Sequence, residues 1–119
     1  MERVTGIGGV FFRARDPHAL AAWYEEHLGV PRQEGETYGI FPKSRNTVWS
    51  AFAEDTDYWP SAKQGMVNYT VSDLDAMLDQ LRAAGVDVDE RIEEHEFGRF
   101  GWATDPEGNR FELWEPPKT

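Results

Sequence analysis

The chain has 119 residues, with 12 Lys and Arg against 22 Asp and Glu, no cysteine, and a formal charge of −10. That length holds one domain with a real core. The charge speaks against nucleic acid, whose phosphates need a basic footprint, and the missing cysteines exclude disulfides and thiolate chemistry. No apolar run reaches the length of a membrane span, and the N-terminus has no apolar signal segment, so a cytoplasmic protein without a membrane partner is expected. The 5 Trp, 4 Tyr and 7 Phe are many for this length, enough to fill a core and also wall a cavity.

In chain order, Gly8 to Ala14 alternates like a strand, with Val10, Phe12 and Ala14 on one face and Gly9, Phe11 and Arg13 on the other. Asp16-Pro17 opens a helix as N-cap and first-turn proline. Leu20, Trp23, Tyr24, His27 and Leu28 give it a stripe expected to be buried, and Gly29 ends it. Thr37 to Phe41 and Thr47 to Phe52 read as short strands joined by a turn over 42–46. The loop 54–64 carries Tyr58 and Trp59, expected at a pocket mouth or an interface.

The second half repeats the first. Gly65 to Asp73 matches Gly8 to Asp16 at a constant offset of 57 residues, with Gly8/Gly65, Val10/Val67 and Asp16/Asp73 identical. Asp73 caps a second helix with Leu74, Met77, Leu78 and Leu81 as its stripe, ended by Ala84-Gly85-Val86. Val86 to Ile92 is expected as another strand, and Glu93-Glu94-His95-Glu96 as a solvated acidic loop, the alternative being a carboxylate–His metal cluster. Phe97, Phe100 and Trp102 follow as further candidates for a pocket rim or dimer contact. Asp105-Pro106-Glu107-Gly108-Asn109 sets a tight turn. After it, Phe111 and Leu113 alternate with Arg110, Glu112 and Trp114, and Asn109 to Glu112 is aligned with Asn46 to Trp49. The chain therefore reads as one domain over 1–119, made of a module at about 1–60 and another at about 61–119.

The repeat and its closing Asp-Pro-Glu-Gly-Asn-Arg-Phe-Glu-Leu-Trp stretch resemble the vicinal oxygen chelate superfamily of glyoxalases, bleomycin-resistance proteins and extradiol dioxygenases. The resemblance implies an α+β fold of two βαβββ modules, paired into a partly closed barrel-like sheet with the helices outside. A ferredoxin-like sandwich shares the helices but not the strands after them. The resemblance further implies metal positions on the first and last strand of each module, carried here to Gly9, Trp49, Met66 and Glu112. Of these, Glu112 alone has an oxygen for a hard divalent ion, since a Met thioether suits soft ions. A family-type metal centre is therefore not expected, and no other cofactor is implied.

The expected pocket lining is Phe11, Arg13, Trp49, Met66, Asn68, Arg110, Glu112 and Trp114, with Glu112 as the candidate catalytic group. An alternative makes Glu112 a structural carboxylate paired with Arg13 or Arg110. The expected function is metal-free binding of an aromatic or cationic small molecule by a homodimer, as in drug-sequestering members. The alternatives are a glyoxalase-like lyase or isomerase or a dioxygenase-type enzyme, and a dimeric regulatory module with a vestigial pocket.

Overall fold

A computed structural model describes residues 1–42 and 47–118. The turn expected over 42–46 falls, after Pro42, outside them. Among the described residues there are eight strands and two helices. The strands are β1 (Gly6–Ala14), β2 (Tyr38–Phe41), β3 (Thr47–Ala53), β4 (Gly65–Thr70), β5 (Asp87–Val88), β6 (Glu93–His95), β7 (Gly98–Thr104) and β8 (Arg110–Glu115). The helices are α1 (Pro17–Leu28) and α2 (Leu74–Ala83). They belong to two compact units, 8–66 and 1–7 with 67–119. No helix among the described residues is long and apolar enough to cross a membrane.

In the 8–66 unit β3 is central, antiparallel to β2 and parallel to β1. A parallel pair needs a crossover, and α1 supplies it. The Asp16 carboxylate accepts from the Ala19 N–H at 3.0 Å, and Gly29 closes the helix at φ 68° with its N–H on Glu25 O. The helix packs by Ala21, with Leu20 and Tyr24, onto Phe12, Ala14, Trp49 and Ala51. The rest of its expected stripe is not buried: Trp23 is 50% exposed, and His27 and Leu28 are exposed too. Ala21 is small enough to let the helix approach closely, and that contact turns positions 23, 27 and 28 outward.

Among the described residues three strands are formed in this unit, one fewer than βαβββ. The segment after α1 instead lies flat on β2. Gln33 N–H donates to Tyr38 O at 2.8 Å, and a Cβ on Gly39 would run into the Pro31 carbonyl. Pro31 has no N–H to offer a ladder, so a single bond takes the place of a strand.

In the other unit the order is β4-β8-β7-β5, with β6 on β7 and β4 parallel to β8. α2 buries Leu74, Met77 and Leu78 against Val71 and Leu113, as its stripe implies. It sits low on β7: Gly101 is a close-approach position, where a Cβ would lie 3.2 Å from Leu78 Cδ1. The helix start is doubly held, by Asp73 on Ala76 N–H and by Glu115 of β8 on Leu74 N–H at 2.8 Å. The strand expected over Val86 to Ile92 shrinks to Asp87–Val88: the Asp89 N–H still donates to Trp102 O of β7 at 2.9 Å, but its side chain then accepts from the Arg91 N–H and turns the chain. The acidic stretch expected as a loop is partly a strand, β6, paired with β7 from Glu93 to His95.

Candidate functional site

The turn Asp105–Asn109 determines what faces what on β7 and β8. Asp105 Oδ1 accepts from the N–H groups of Glu107 and Asn109, each at 2.9 Å, and Gly108 takes φ 83°. Counting back from it, Thr104 pairs with Arg110, Trp102 with Glu112 and Phe100 with Trp114. Phe111 and Leu113 turn to the α2 side, so Arg110, Glu112 and Trp114 share the opposite face with Trp102 and Phe100, as the alternation implies.

Glu112 is 3% exposed, and both its oxygens are engaged. Oε1 accepts from Asn68 Nδ2 at 2.6 Å, and Oε2 accepts from Trp102 Nε1 at 2.9 Å. Asn68 is its direct partner on the parallel strand β4. The Trp102 indole, fully buried, carries the Arg91 guanidinium at 4.8 Å and that of Arg110 at 5.3 Å from its ring centre. Arg110 pairs with Asp89 at 3.3 Å. Asp89 in turn is held below the ordinary carboxylate value, first by the Arg91 N–H and then by Arg110. Glu112 is thus a satisfied buried carboxylate, as its structural alternative expects, with Asn68 and Trp102 as donors.

Further along the same face lies a stack of rings. Phe100 and Trp114 are nearly parallel at 5.8 Å, and His95 caps Phe100 at 4.9 Å. Trp114 Nε1 donates to Phe97 O at 2.7 Å. His95 Nδ1 accepts from the Phe97 N–H at 3.3 Å. Thus His95 serves an aromatic row and not an acidic metal cluster. Phe97 is the exposed member of the group.

In the 8–66 unit the expected pocket residues divide. Phe11 packs on Phe52 at 5.2 Å, and its ring lies where a Cβ on Gly9 would stand, 2.8 Å from it. Arg13 gives all five of its guanidinium N–H groups to loop carbonyls. Nε donates to Lys63 O, Nη1 to Glu54 O and Thr56 O, and Nη2 to Trp59 O and Pro60 O, between 2.9 and 3.0 Å. Trp59, expected at a pocket mouth, is 2% exposed under that guanidinium and donates its own Nε1 to Lys63 O. Arg13 is a latch for the loop. Met66 is buried on β4.

Trp49 is the clear correction. It pairs with Val10 on β1 and meets Tyr24 of α1 at 4.8 Å, so it faces the helix and lines no pocket on the Gly9 face. The cause is a one-residue slip in the repeat. Phe11 corresponds to Asn68 at the offset of 57; Phe11 pairs with Ser50, and Asn68 pairs with Glu112. Ser50, 62 residues before Glu112, holds the Glu112 place in the first module. A cleft of about 700 Å³ does open in this unit, on the α1 side, lined by Phe12, Leu20, Trp23, Tyr24, Arg15 and Gln64 among others.

The family model for the Glyoxalase/Bleomycin resistance protein/Dioxygenase superfamily matches residues 6–113. The chain belongs to this superfamily. Among solved structures it is similar to methylmalonyl-CoA epimerase from Mycobacterium tuberculosis, at 25% identity and a TM-score of 0.70 over 96% of this chain and 89% of the other. It is also similar in fold to the Mn(II)-bound glyoxalase from Novosphingobium aromaticivorans, at 18% identity and a TM-score of 0.64 over 96% of this chain and 40% of that one. A search of curated proteins finds no match.

Relatives in the superfamily thus include a divalent-metal protein, and the residues present here do not fit that group. Glycine at position 9 has no donor and lies under the Phe11 ring, Trp49 faces α1, and the Ser50 hydroxyl is a weak ligand. The Glu112 oxygens already accept from Asn68 and Trp102. Among the described residues no group of three or more His, Cys, Asp or Glu is placed to hold a metal ion. Trp102, Arg91 and Ser50 were not in the expected lining. Trp102 had a signal in the sequence, because counting equal steps back from the Asp105–Asn109 turn sets it opposite Glu112. Arg91 had none.

Proposed function

We propose that this superfamily member binds a small molecule on the Glu112 face of β4, β8 and β7, without a divalent metal. The observation that carries the reading is the use of the Glu112 carboxylate. A family-type ligand oxygen points at an ion, whereas here each oxygen meets a neutral donor, and the buried cluster adjoins a row of rings. Burying a carboxylate is costly unless its lone pairs are met, and a cluster that meets them makes a fixed polar floor. The half-buried Phe100–Trp114 row beside it suits a flat aromatic ligand. Arg91 and Arg110, both stacked on Trp102, lower the appeal of that end for a cation, so the aromatic half of the expected ligand is retained and the cationic half is not.

We place the chain, as a single domain of two modules, in the cytoplasm and as a homodimer, which light scattering on the purified protein tests. An enzymatic reading is favoured by the superfamily and by the epimerase and glyoxalase relatives. It would use Glu112 as an acid or base, and an assay for exchange of the α-proton of methylmalonyl-CoA in D2O separates it from binding alone.

The deciding experiment is elemental analysis of protein purified without a His tag or chelator, together with melting curves in the presence of Mn²⁺, Ni²⁺, Zn²⁺ or Fe²⁺ and of a panel of aromatic compounds. The expected outcome is no stoichiometric metal, no metal-dependent shift, and a rise in Tm with an aromatic ligand. A ligand at a hundred times its Kd stabilises by about 2.7 kcal/mol. Near-stoichiometric metal, lost in Glu112→Ala, would overturn the reading.

A further inference from the structure

The apolar stripe of α1 is only partly used by the core. Ala21, Leu20 and Tyr24 pack onto Phe12, Ala14, Trp49 and Ala51, while Trp23 is left 50% exposed. The Trp23 ring is nonetheless held in place. It meets Tyr24 edge-on at 5.3 Å and His27 at 4.9 Å, and Tyr24 in turn rests on Trp49 at 4.8 Å. These rings wall the cleft of about 700 Å³ on the α1 side, with Phe12 and Leu20 completing an apolar lining. Small-molecule sites have volumes of about 300–1,000 Å³ and are likewise mostly apolar, with a few polar groups that fix orientation.

The charged groups of the cleft are Arg13, Arg15 and Asp16, a local excess of one positive charge in a chain of net charge −10. Two of the three are committed. Arg13 gives its guanidinium to the loop carbonyls, and Asp16 caps the helix through the Ala19 N–H. Arg15 is exposed and makes no hydrogen bond or ion pair among the described residues. A guanidinium without a partner beside a concave aromatic surface matches a planar carboxylate both in charge and in its fork of donors.

We propose that this cleft is a further binding site, separate from the Glu112 face, and that its ligand is a flat aromatic carboxylate. The rings of the ligand lie against Trp23, Tyr24 and Leu20, and Arg15 takes the carboxylate. The site is on the α1 side of β1 and β3, whereas Phe11 and Ser50 occupy the other side. None of its lining residues belongs to β4, β7 or β8. The two arginines disfavour a cation, and a neutral ring leaves Arg15 without a partner.

The test uses the full chain and three probes of one shape, 2-naphthoate, 2-naphthylmethanol and 2-naphthylmethylammonium, titrated by calorimetry. The acid is expected to bind about three- to tenfold more tightly than the alcohol, and the ammonium compound more weakly than either. Arg15→Gln is expected to bring the acid down to the level of the alcohol. Trp23→Ala is expected to weaken both by about three- to tenfold. Both residues are exposed, so an unchanged Tm of each variant shows that the fold is intact. Absence of binding by all three probes would overturn the proposal. Binding that neither substitution alters would also overturn it, by placing the probes elsewhere on the chain. So would a loss of self-association in Trp23→Ala, read by light scattering, without binding of any probe: this face would then be an interface between copies of the chain.

Discussion

At the scale of single residues, the Glu112 cluster depends on a second layer that begins with Asp89. Its Oδ1 accepts the Arg91 N–H at 2.9 Å, and Oδ2 takes both terminal nitrogens of Arg110 at 3.3 Å. These contacts hold the arginine planes against Trp102, whose N–H serves Glu112. The carboxyl of Asp89 is held below its ordinary value by that N–H first and by Arg110 next. Because the folded pKa is the lower one, the pair stabilises the fold fully above the unfolded value of about 3.9, and the contribution is lost as pH falls through the folded pKa. Asp89→Asn keeps an acceptor for the Arg91 N–H and removes the charge opposite Arg110. The variant is expected to melt below the parent at pH 7, with the gap narrowing below about pH 4 as the parent's own carboxylate is protonated. Melting curves across that range check it; a gap that persists unchanged into acid would assign the effect to packing alone.

At the scale of elements, the loop 54–64 is the least regular part of the described chain and one of the most firmly tied. Five carbonyls converge on one guanidinium, Trp59 is sealed beneath it, and Gln64 returns a bond from its side-chain amide to Arg13 O at 3.1 Å. A lysine places one point charge with three donors where a planar fork with five had been. Arg13→Lys is therefore expected to cost about 2–4 kcal/mol and to open the loop. Limited proteolysis between Glu54 and Gln64, faster than in the parent, together with a red-shifted tryptophan emission would report it. The sequence made the helices legible because their caps and stripes are local, and it made β8 legible because the turn before it is local. It did not make the face of β3 legible. A slip of one residue inverts a strand, and the alignment of Asn46 with Asn109 assumed turns of equal length in the two modules. Pairing of β1 with β3, a contact distant in sequence, assigns Ser50 and Phe52 to one face and Trp49 to the other. The role of Arg13 was hidden for a similar reason, since nothing in an alternating strand marks which of its polar residues will gather a loop 40 to 50 positions later.

At the scale of the whole molecule, the superfamily fold is retained, and Gly9, which the family resemblance assigns to a first-strand ligand position, makes the proposed metal-free reading testable without reference to any ligand. The first-strand ligand position can be refilled by Gly9→His. If the site were only lacking a side chain, the substitution would be tolerated. The geometry argues otherwise, because a Cβ at position 9 lies 2.8 Å from one edge atom of Phe11 and 3.2 Å from Val48 O. The phenylalanine is buried and already packed on Phe52, which in turn stacks on Tyr58 at 5.7 Å and meets Trp59 at 5.0 Å. Displacing its ring disturbs the same aromatic group that the Arg13-held loop covers. Overpacking of this kind costs about 1–3 kcal/mol. Gly9→His is expected to be destabilised to that extent in urea titration, with no gain in Mn²⁺ or Ni²⁺ affinity. In a Phe11→Ala background the same substitution is expected to cost less than it does alone, since the clashing ring is gone, and the difference between the two costs measures how far Phe11 has taken over the position. Equal costs in both backgrounds would mean that backbone crowding against Val48, and not the aromatic packing, forbids a ligand there.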